Sequence, residues 1–340
     1  MRGFYIVLGI VCLTVMSCGR SGEGVNTIRI GHFPNITHSQ AIIGLARGDF
    51  SREIGTNVRI DVKRFNAGPA AIEALFAGSL DICYIGPNPA INGYVKSHGK
   101  ALRILAGATS GGAALIVRKE SGIVSDKDFS GKKIATPQLG NTQDVALRAW
   151  LTARGLHIGE KPDEVAVLPV GNPQAYDLFR QGKIDAAWLP EPWASRLEIE
   201  AGGRLYLDER TLWPEGDFVT AHVIVRTEFM KTRPDVVAAW LRGHAGVTAW
   251  IGTNGQLAKK VLNDELARIT GKAIPVAVLE IAWWRMRVTW DPVAGSLKSS
   301  AEAAWKAGIL PAMPVLDDIY ELRPLNAILR ERSLPVVKGL

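Results

Sequence analysis

The sequence predicts an α/β protein made of two similar lobes. Its 340 residues, 47% of them hydrophobic and 21% charged, are enough for two separate cores. Short apolar runs typical of strands alternate with amphipathic helical segments over the first two thirds of the chain. One helix–strand unit also occurs twice, at 68–85 and 172–189. Two copies of one unit favour two lobes of the same design, although two short amphipathic helices can also resemble each other by chance.

The repeated unit has its markers at the same spacing in both copies. A proline stands at the first turn of each helix, a glycine follows nine residues later, and an aspartate comes three residues after that glycine. An apolar strand completes each copy, at 82–85 and 186–189. Before the first copy we predict a strand at 28–33, a helix that begins at Thr37 with a capping box to Gln40, and a strand at 58–62.

Two further segments, 114–120 and 222–228, resemble each other and are predicted to be strands. We interpret them as the places where the chain crosses between lobes, so that lobe 1 is 27–110 plus 227–340 and lobe 2 is 111–226. After residue 228 the pattern predicts helices at 234–251, 256–268, 276–287 and 295–307, a short helical turn at 317–320, and helical spacing from 324 onward.

The N-terminus has the pattern of an export signal. Arg2 precedes an apolar stretch, and Ser17-Cys18 resembles the cleavage site of a bacterial lipoprotein. We predict a signal peptide at 1–17, lipidation of Cys18 and a flexible tether at 18–26; the alternative is an ordinary signal peptide with a chance cysteine. Beyond Cys18 only Cys83 remains, so no disulfide and no cysteine metal site can form within the mature chain, and Cys83 is expected to be buried.

Composition excludes several function classes. The net charge of +7 is not gathered into a basic stripe with aromatic residues, so nucleic acid is not an expected partner. The sequence contains no Gly-x-Ser-x-Gly, no His-Glu-x-x-His and no phosphate-binding P-loop. We therefore predict no catalytic residues, no metal and no cofactor.

The segment 136–144 has the pattern of an anion-binding turn. It joins a predicted strand, 133–135, to a predicted helix, 145–154, with Gly140 and Asn141 at the turn. A helix that begins here points unpaired N–H groups outward, and Thr142, Asn141 and Gln138 can add side-chain donors. Such a terminus can bind an oxyanion without a cationic side chain, although an ordinary capped helix start has the same pattern.

Several segments together resemble the substrate-binding proteins of ABC importers, in the aliphatic sulfonate, nitrate and taurine group. They are 31–38, 77–89, 106–112, 131–135 with 140–144, and 185–193. The resemblance implies the type II periplasmic-binding-protein fold, in which two α/β lobes close on a ligand at a two-strand hinge. It also implies a monomer in the cell envelope or periplasm, tied to the membrane only by its lipid, that delivers a small anion to an ABC permease with its ATPase. The loops that carry the resemblance give these candidate ligand-binding residues: Asn35, Gly86, Pro87, Thr109, Ser110, Gly111, Gln138, Gly140, Asn141, Thr142, Trp188 and Glu191.

A sulfonate suits such a site because it stays ionised and accepts hydrogen bonds without donating any. We expect donors from both sides of the cleft, at 109–112 and at 141–142. An organic tail needs an apolar wall, for which Phe33, Trp188 and Trp193 are candidates, each with core packing as the alternative. Glu191 is awkward beside an anion; it can point away, bind a polar tail or accept from a backbone group. His32 and His38 are expected in structural or rim positions, and Trp283-Trp284 either cap the cleft or fill a core.

Other functions stay open at this point. Nitrate, bicarbonate or an aromatic acid could replace the sulfonate, and the same cleft could serve a sensor that acts through a signalling partner. An enzyme branch of this fold makes the thiamin pyrimidine with a cysteine-rich segment, which this chain lacks.

Overall fold

A computed structural model of the chain describes residues 26–340. The predicted signal peptide, Cys18 and nearly all of the predicted tether lie outside these residues. Within 26–340, none of the helices combines the length and the apolar character that crossing a membrane requires.

Strands and helices alternate through the first two thirds of the described chain, and helices dominate the rest. The strands are β1 (Thr27–His32), β2 (Arg59–Arg64), β3 (Ile82–Ile85), β4 (Leu102–Gly111), β5 (Ala113–Arg118), β6 (Lys133–Thr136), β7 (Ala166–Pro169), β8 (Ala186–Pro190), β9 (Gly203–Asp208), β10 (Val219–Arg226) and β11 (Met286–Val288). The α-helices are α1 (Ser39–Arg47), α2 (Asp49–Ile54), α3 (Gly68–Phe76), α4 (Pro87–Lys96), α5 (Thr142–Thr152), α6 (Asn172–Arg180), α7 (Trp193–Glu200), α8 (Thr227–Thr232), α9 (Pro234–Thr253), α10 (Gly255–Thr270), α11 (Val276–Trp284), α12 (Ala294–Lys306) and α13 (Arg323–Glu331). Short 3₁₀ turns lie at Ile36–His38, Lys119–Ser121, Asp126–Phe129, Glu209–Leu212 and Pro214–Gly216.

The strands form two sheets of matching design. The first has the order β11-β4-β10-β3-β1-β2 and the second the order β7-β6-β8-β5-β9. Three neighbouring strands run parallel in each sheet, β2-β1-β3 in the first and β7-β6-β8 in the second. Beside them lies one antiparallel strand, β10 in the first sheet and β5 in the second. The fold class predicted from the sequence, two α/β lobes, is confirmed.

This correspondence corrects the predicted lobe boundary. The similar segments 114–120 and 222–228 fall on β5 and β10, which occupy the same position in different sheets. Strand β10 pairs with β3 and β4 and therefore belongs to the first sheet, not to the lobe ending at residue 226. The chain leaves the first sheet at Gly111-Gly112 and returns to it within 209–218. We call 26–111 plus 219–340 the first lobe, and 113–208 the second lobe.

The first crossing is tight because β4 ends and β5 begins within two residues. Both glycines at the crossing have positive φ, 75° for Gly111 and 82° for Gly112, which residues with a side chain rarely adopt. The Gly112 N–H donates to the Arg285 carbonyl at 2.8 Å, and a Cβ on Gly111 would lie 2.6 Å from that same oxygen. The crossing therefore leaves no room for a side chain.

Each sheet carries cores on both faces, which explains the continuous apolar runs in the repeated strands. In β3, Ile82 and Tyr84 enter one core, whereas Cys83 and Ile85 enter the other. The same alternation holds in β8, where Ala186 and Trp188 face one core and Ala187 and Leu189 the other. The prediction that Cys83 is buried is confirmed.

Several predicted element details were wrong. Thr37 lies in a 3₁₀ turn before α1 and forms no capping box; the Gln40 amide donates instead to the Ala108 carbonyl at 2.5 Å. The helix predicted at 276–287 ends at Trp284, because the next residues pair with β4 as β11. Residues 317–320 form a turn with one bridge from Tyr320 to Ile104 rather than a helix.

Candidate functional site

The parallel strands of both sheets end at one small cavity between the lobes. Its lining comes from Phe33, Asn35, Thr37, His38, Asn66, Ala67, Gly86, Pro137, Asn141, Thr142, Gln143, Asn172, Pro190 and Thr220. These residues follow or end β1, β2, β3, β6, β7 and β8, apart from Thr220 on the antiparallel strand β10. The carboxyl ends of strands are where open α/β sheets bind ligands. The centre of a water-sized molecule can occupy about 20 Å³ of this space, little more than one water needs, so the cavity admits a small head group at most.

Four helices point their N-termini at the cavity. Ala67 and Gly86 precede α3 and α4 in the first lobe, Asn141 precedes α5 in the second, and Asn172 is the first residue of α6. The first N–H groups of a helix have no partner within it, and they carry the positive end of its dipole. Proline in the first turn removes some of these N–H groups from α3, α4 and α6, so the backbone donors come chiefly from α5. Convergence of four such ends from two lobes creates a site for negative charge.

Three buried polar atoms on the lining have no hydrogen-bond partner among residues 26–340. They are His38 Nδ1, Thr142 Oγ1 and Asn172 Oδ1, on side chains of residues that are 3%, 6% and 4% exposed. A buried polar group without a partner costs about 1–3 kcal/mol, so such groups are uncommon in a finished core. Three of them around one cavity indicate a polar ligand. The Asn172 amide can present its NH₂ end to that ligand by turning about its last bond.

The lining contains no Lys, Arg, Asp or Glu. Burial, with a smaller contribution from nearby His32, lowers the pKa of His38 to about 3, so the imidazole is neutral at physiological pH. A neutral imidazole still has one N–H to donate. The cavity can therefore bind an anion through neutral donors and helix ends.

Asp144, on the first turn of α5, shapes the second lobe's part of the site. Its fully buried carboxylate accepts from Thr136 Oγ1 at 2.9 Å, from the Gly140 N–H at 2.9 Å and from Arg148 Nε at 3.0 Å. These bonds fix the turn between β6 and α5. They also offset the negative charge of Asp144, which reduces its repulsion of an anion in the cavity. Asp144 is thus a positioning residue for Asn141 and Thr142.

The two lobes are in close contact at Gly86 and Thr142. A Cβ built on Gly86 would lie 2.3 Å from Thr142 Oγ1 and 3.5 Å from Thr142 Cβ. Gly86 has φ −69° and ψ 160°, an extended conformation that any residue adopts. Its lack of a side chain therefore serves the contact between lobes and not the backbone.

Of the predicted ligand residues, Asn35, Gly86, Asn141 and Thr142 line the cavity. Pro87 begins α4 beside Gly86, and Gln138 accepts the Asn141 N–H through its carbonyl at 3.0 Å; neither is part of the lining. The Gly140 N–H is already used by Asp144. Of the predicted apolar wall, Phe33 lines the cavity, and Trp193 lies outside it with Nε1 donating to Asn35 Oδ1 at 3.1 Å.

The predicted donors at 109–112 do not reach the cavity. Thr109 Oγ1 donates to the Thr37 carbonyl at 2.6 Å, and Ser110 Oγ donates to Asp217 at 2.9 Å. The Gly111 N–H donates to the Phe218 carbonyl at 3.0 Å, and the Gly111 carbonyl accepts from Thr220 Oγ1. Thr109, Ser110 and Gly111 are the end of strand β4, one layer behind the lining, and they support Thr37 and Thr220. The prediction that 109–112 and 140–142 share one crevice was wrong.

Trp188 and Glu191 are also structural. Trp188 is fully buried in the second lobe, where its Nε1 donates to Glu209 at 2.8 Å. Glu191 is fully buried as well, and it accepts from the Ser195 N–H at 3.0 Å and from the Arg285 guanidinium at 3.1 Å. Because Arg285 belongs to the first lobe, this ion pair joins the lobes beside the hinge. Burial raises the pKa of Glu191, and the charge of Arg285 opposes that rise.

The remaining aromatic residues lie away from the cavity. Trp284 is 70% exposed and its ring lies 4.3 Å from the Arg210 guanidinium. Trp283 packs against the core formed with α1, α9 and α10. His32 is buried beside the Phe33 carbonyl, at 3.2 Å from Nδ1, which makes its role structural.

Sequence reasoning missed several lining residues, among them Thr37, Asn66, Ala67, Gln143, Asn172 and Thr220. A clue to two of them was in the repeat itself. Ala67 and Asn172 stand at the start of the two repeated helices, each after a strand. The rule that ligands bind at the carboxyl ends of strands applies to both.

Comparison with known proteins gives consistent matches. The NMT1-like family matches residues 21–263. The taurine-binding periplasmic protein of Escherichia coli is 27% identical over 202 residues, which are 59% of this chain and 60% of that protein. The chain thus spans about three fifths of the length of that relative.

Two solved structures show the same fold. The alkanesulfonate-binding protein of Xanthomonas axonopodis pv. citri, bound to MOPS, aligns with a TM-score of 0.72 at 20% identity, over 87% of this chain and 98% of that one. The periplasmic nitrate-binding protein of Synechocystis PCC 6803 aligns with a TM-score of 0.73 at 17% identity, over 92% of this chain and 90% of that one.

Proposed function

Because the chain belongs to the NMT1-like family, we propose that it is an extracytoplasmic receptor that captures a small organic anion between its lobes and delivers it to an ABC importer. Its ligand is an aliphatic sulfonate. The observation that carries this proposal is the convergence of four helix N-termini on a cavity with unpartnered polar groups and no charged side chain.

The chemistry of the lining suits a sulfonate. Three oxygens share one permanent charge and only accept hydrogen bonds, and the lining offers the Thr142 hydroxyl, the His38 imidazole, the asparagine amides and the first N–H groups of α5. A protonated phosphate must also donate a hydrogen bond, and the lining has no carboxylate to accept it. Micromolar affinity corresponds to about −8 kcal/mol. Several charge-assisted hydrogen bonds of ~1.5–3 kcal/mol each can supply this after the costs of ordering and closure.

Ligand contacts on both lobes couple binding to closure. Gly86 and His38 lie in the first lobe, and Thr142 and Asn172 in the second. A ligand that bonds to both sides stabilises the closed arrangement by its differential affinity for it. The closed form is then the one that a permease and its ATPase recognise.

Export and anchoring complete the proposal. The residues 1–17 act as a signal peptide, and Cys18 receives the lipid that holds a monomer at the membrane surface. Labelling of the full-length protein with a fatty acid in a bacterial host tests this. Incorporation that is lost in Cys18→Ser supports anchoring, and unlabelled wild-type protein excludes it.

Nitrate is the second candidate, because the cavity is small and nitrate shares the permanent charge and the acceptor-only chemistry. Calorimetry of the purified protein with 1-propanesulfonate, nitrate and phosphate separates the candidates. We expect micromolar binding of 1-propanesulfonate and no heat with phosphate. If nitrate binds and 1-propanesulfonate does not, the protein is a receptor for an inorganic anion. If neither binds, the proposal is refuted.

A further inference from the structure

A second and larger space adjoins the anion cavity. We call it the vestibule; its lining is Pro34, Asn35, Asn66, Asn172, Pro173, Pro192, Trp193, Arg196, Leu266, Thr270, Lys272, Ala273 and Ile274. The centre of a water-sized molecule can occupy about 400 Å³ here, compared with about 20 Å³ in the anion cavity. Asn35, Asn66 and Asn172 line both spaces, so the two are neighbours across these side chains.

The difference in size decides what each space can hold. A head group of a few atoms suits the cavity, but an organic chain attached to it does not fit there. The organic chain of the ligand would have to pass between the three shared asparagines, and the vestibule lies on the other side of them. Trp193, Leu266 and Ile274 provide apolar surface there for methylene groups.

The charges of the vestibule all have one sign. Its charged lining residues are Arg196 and Lys272, and no Asp or Glu is among them. Arg196 is partly compensated, since its Nε donates to Glu200 at 2.6 Å and its guanidinium lies 4.8 Å from the Trp193 ring centre. Lys272 is exposed, and its ammonium has no ion pair within residues 26–340.

We propose that the vestibule binds the tail of the anion and selects for a tail that is uncharged or carries a second negative charge. This rests on the proposed function. A tail that ends in an ammonium group would leave water without gaining a carboxylate partner, and it would lie beside two cations. Taurine has such a tail. This receptor therefore discriminates against taurine, the ligand in the name of one of its relatives.

A matched set of three ligands tests the tail preference by calorimetry on the purified protein. The set is 1-propanesulfonate, 3-aminopropanesulfonate and 3-sulfopropanoate, which share a head group and a three-carbon chain. We expect the ammonium ligand to bind about tenfold more weakly than 1-propanesulfonate, and the carboxylate ligand to bind at least as tightly. Equal binding of all three would refute the tail inference and leave the proposed function standing. Binding of none would refute the proposed function itself.

Charge reversal at Lys272 assigns the preference to the vestibule. In Lys272→Glu, the ratio of carboxylate-ligand to ammonium-ligand affinity should fall about fivefold or more, with a smaller change in high salt. Both ligands have the same sulfonate head group, so any change in head-group affinity affects both equally and leaves the ratio unchanged. Lys231→Glu is the control. Lys231 is exposed on α8 and lines neither the anion cavity nor the vestibule, and its substitution changes the net charge by the same amount. An unchanged ratio in Lys272→Glu, or an equal fall in Lys231→Glu, would contradict the assignment.

Discussion

Replacement of Gly86 by alanine tests whether ligand binding requires close approach of the lobes. The added Cβ would lie 2.3 Å from Thr142 Oγ1, whereas real Cβ contacts stay beyond 3.0 Å, so the shortfall is 3.0 − 2.3 = 0.7 Å. The backbone at Gly86 accepts alanine without strain, because its φ is −69°. The substitution therefore acts on the contact between lobes rather than on the fold of the first lobe.

The clash can be relieved in two ways, and each weakens binding. The lobes can stay slightly apart, or the Thr142 side chain can turn and take its hydroxyl away from the anion. Overpacking of this kind costs about 1–3 kcal/mol, which corresponds to a loss of about 5- to 150-fold in affinity. Calorimetry with 1-propanesulfonate measures the loss, and denaturant unfolding shows whether the fold keeps its stability.

Two further variants make the result specific. Gly171→Ala is the matched control: Gly171 stands just before α6, next to Asn172 of the lining, has φ −57°, and a Cβ there meets nothing within 4 Å. The affinity of Gly171→Ala for 1-propanesulfonate should stay within about twofold of that of the wild type. In Thr142→Ala the atom that clashes is absent, so adding Gly86→Ala should cost little more. Wild-type affinity in Gly86→Ala, or an equal loss with and without Thr142, would refute the reasoning.

Three other outcomes follow from the structure. Thr142→Ala should weaken binding by about 1.5–3 kcal/mol because it removes a donor to a charged ligand, whereas Thr152→Ala, at the exposed far end of α5, should leave calorimetric affinity unchanged. Arg285→Met should lower the unfolding free energy by about 3–5 kcal/mol, because the buried Glu191 carboxyl loses its cationic partner; Glu191→Gln in the same chain should restore part of the loss in urea denaturation, and a further loss would contradict this. Burial lowers the pKa of His38 to about 3 and those of His32, His222 and His244 to about 4, so each contributes stability that is present above the unfolded pKa of about 6.5 and is lost as pH falls below it. Burial also raises the pKa of Glu209 to about 7, which acts in the opposite direction, but this one carboxyl opposes four imidazoles. Unfolding free energy should therefore decrease from pH 7 to pH 5, while affinity for a sulfonate stays flat between pH 6 and 8; a flat stability profile or a steep affinity profile would contradict this.

The sequence was enough to place the turn between β6 and α5, because the features that define it are local. Gly140, Asn141 and Thr142 show their roles through their order alone: a turn, a cap and a first helical residue. The repeat likewise predicted two lobes, since its proline, glycine and aspartate lie at fixed distances along the chain.

What the sequence could not show depends on distant partners. Glu191 looked like a ligand residue because nothing near it in sequence reveals Arg285, which is 94 positions away. Thr109 looked like a free donor because its acceptor, the Thr37 carbonyl, is 72 positions earlier. The similarity of 114–120 and 222–228 was recognised correctly. Such similarity can mean that two strands occupy the same position in two sheets, or that both lie at a boundary between lobes. Only the strand pairing separates these two explanations.

The place of β10 has a consequence for how the protein is made. This strand lies between β3 and β4 in the first sheet, yet it is synthesised only after the whole of the second lobe. Until residue 226 has emerged, β3 and β4 have no common neighbour, and the sheet that provides one side of the cavity has a gap in its middle. The second lobe, in contrast, is one continuous insert whose strands are all present by residue 208. The later-numbered lobe can thus form its sheet first, and the first lobe must wait for a strand from beyond it.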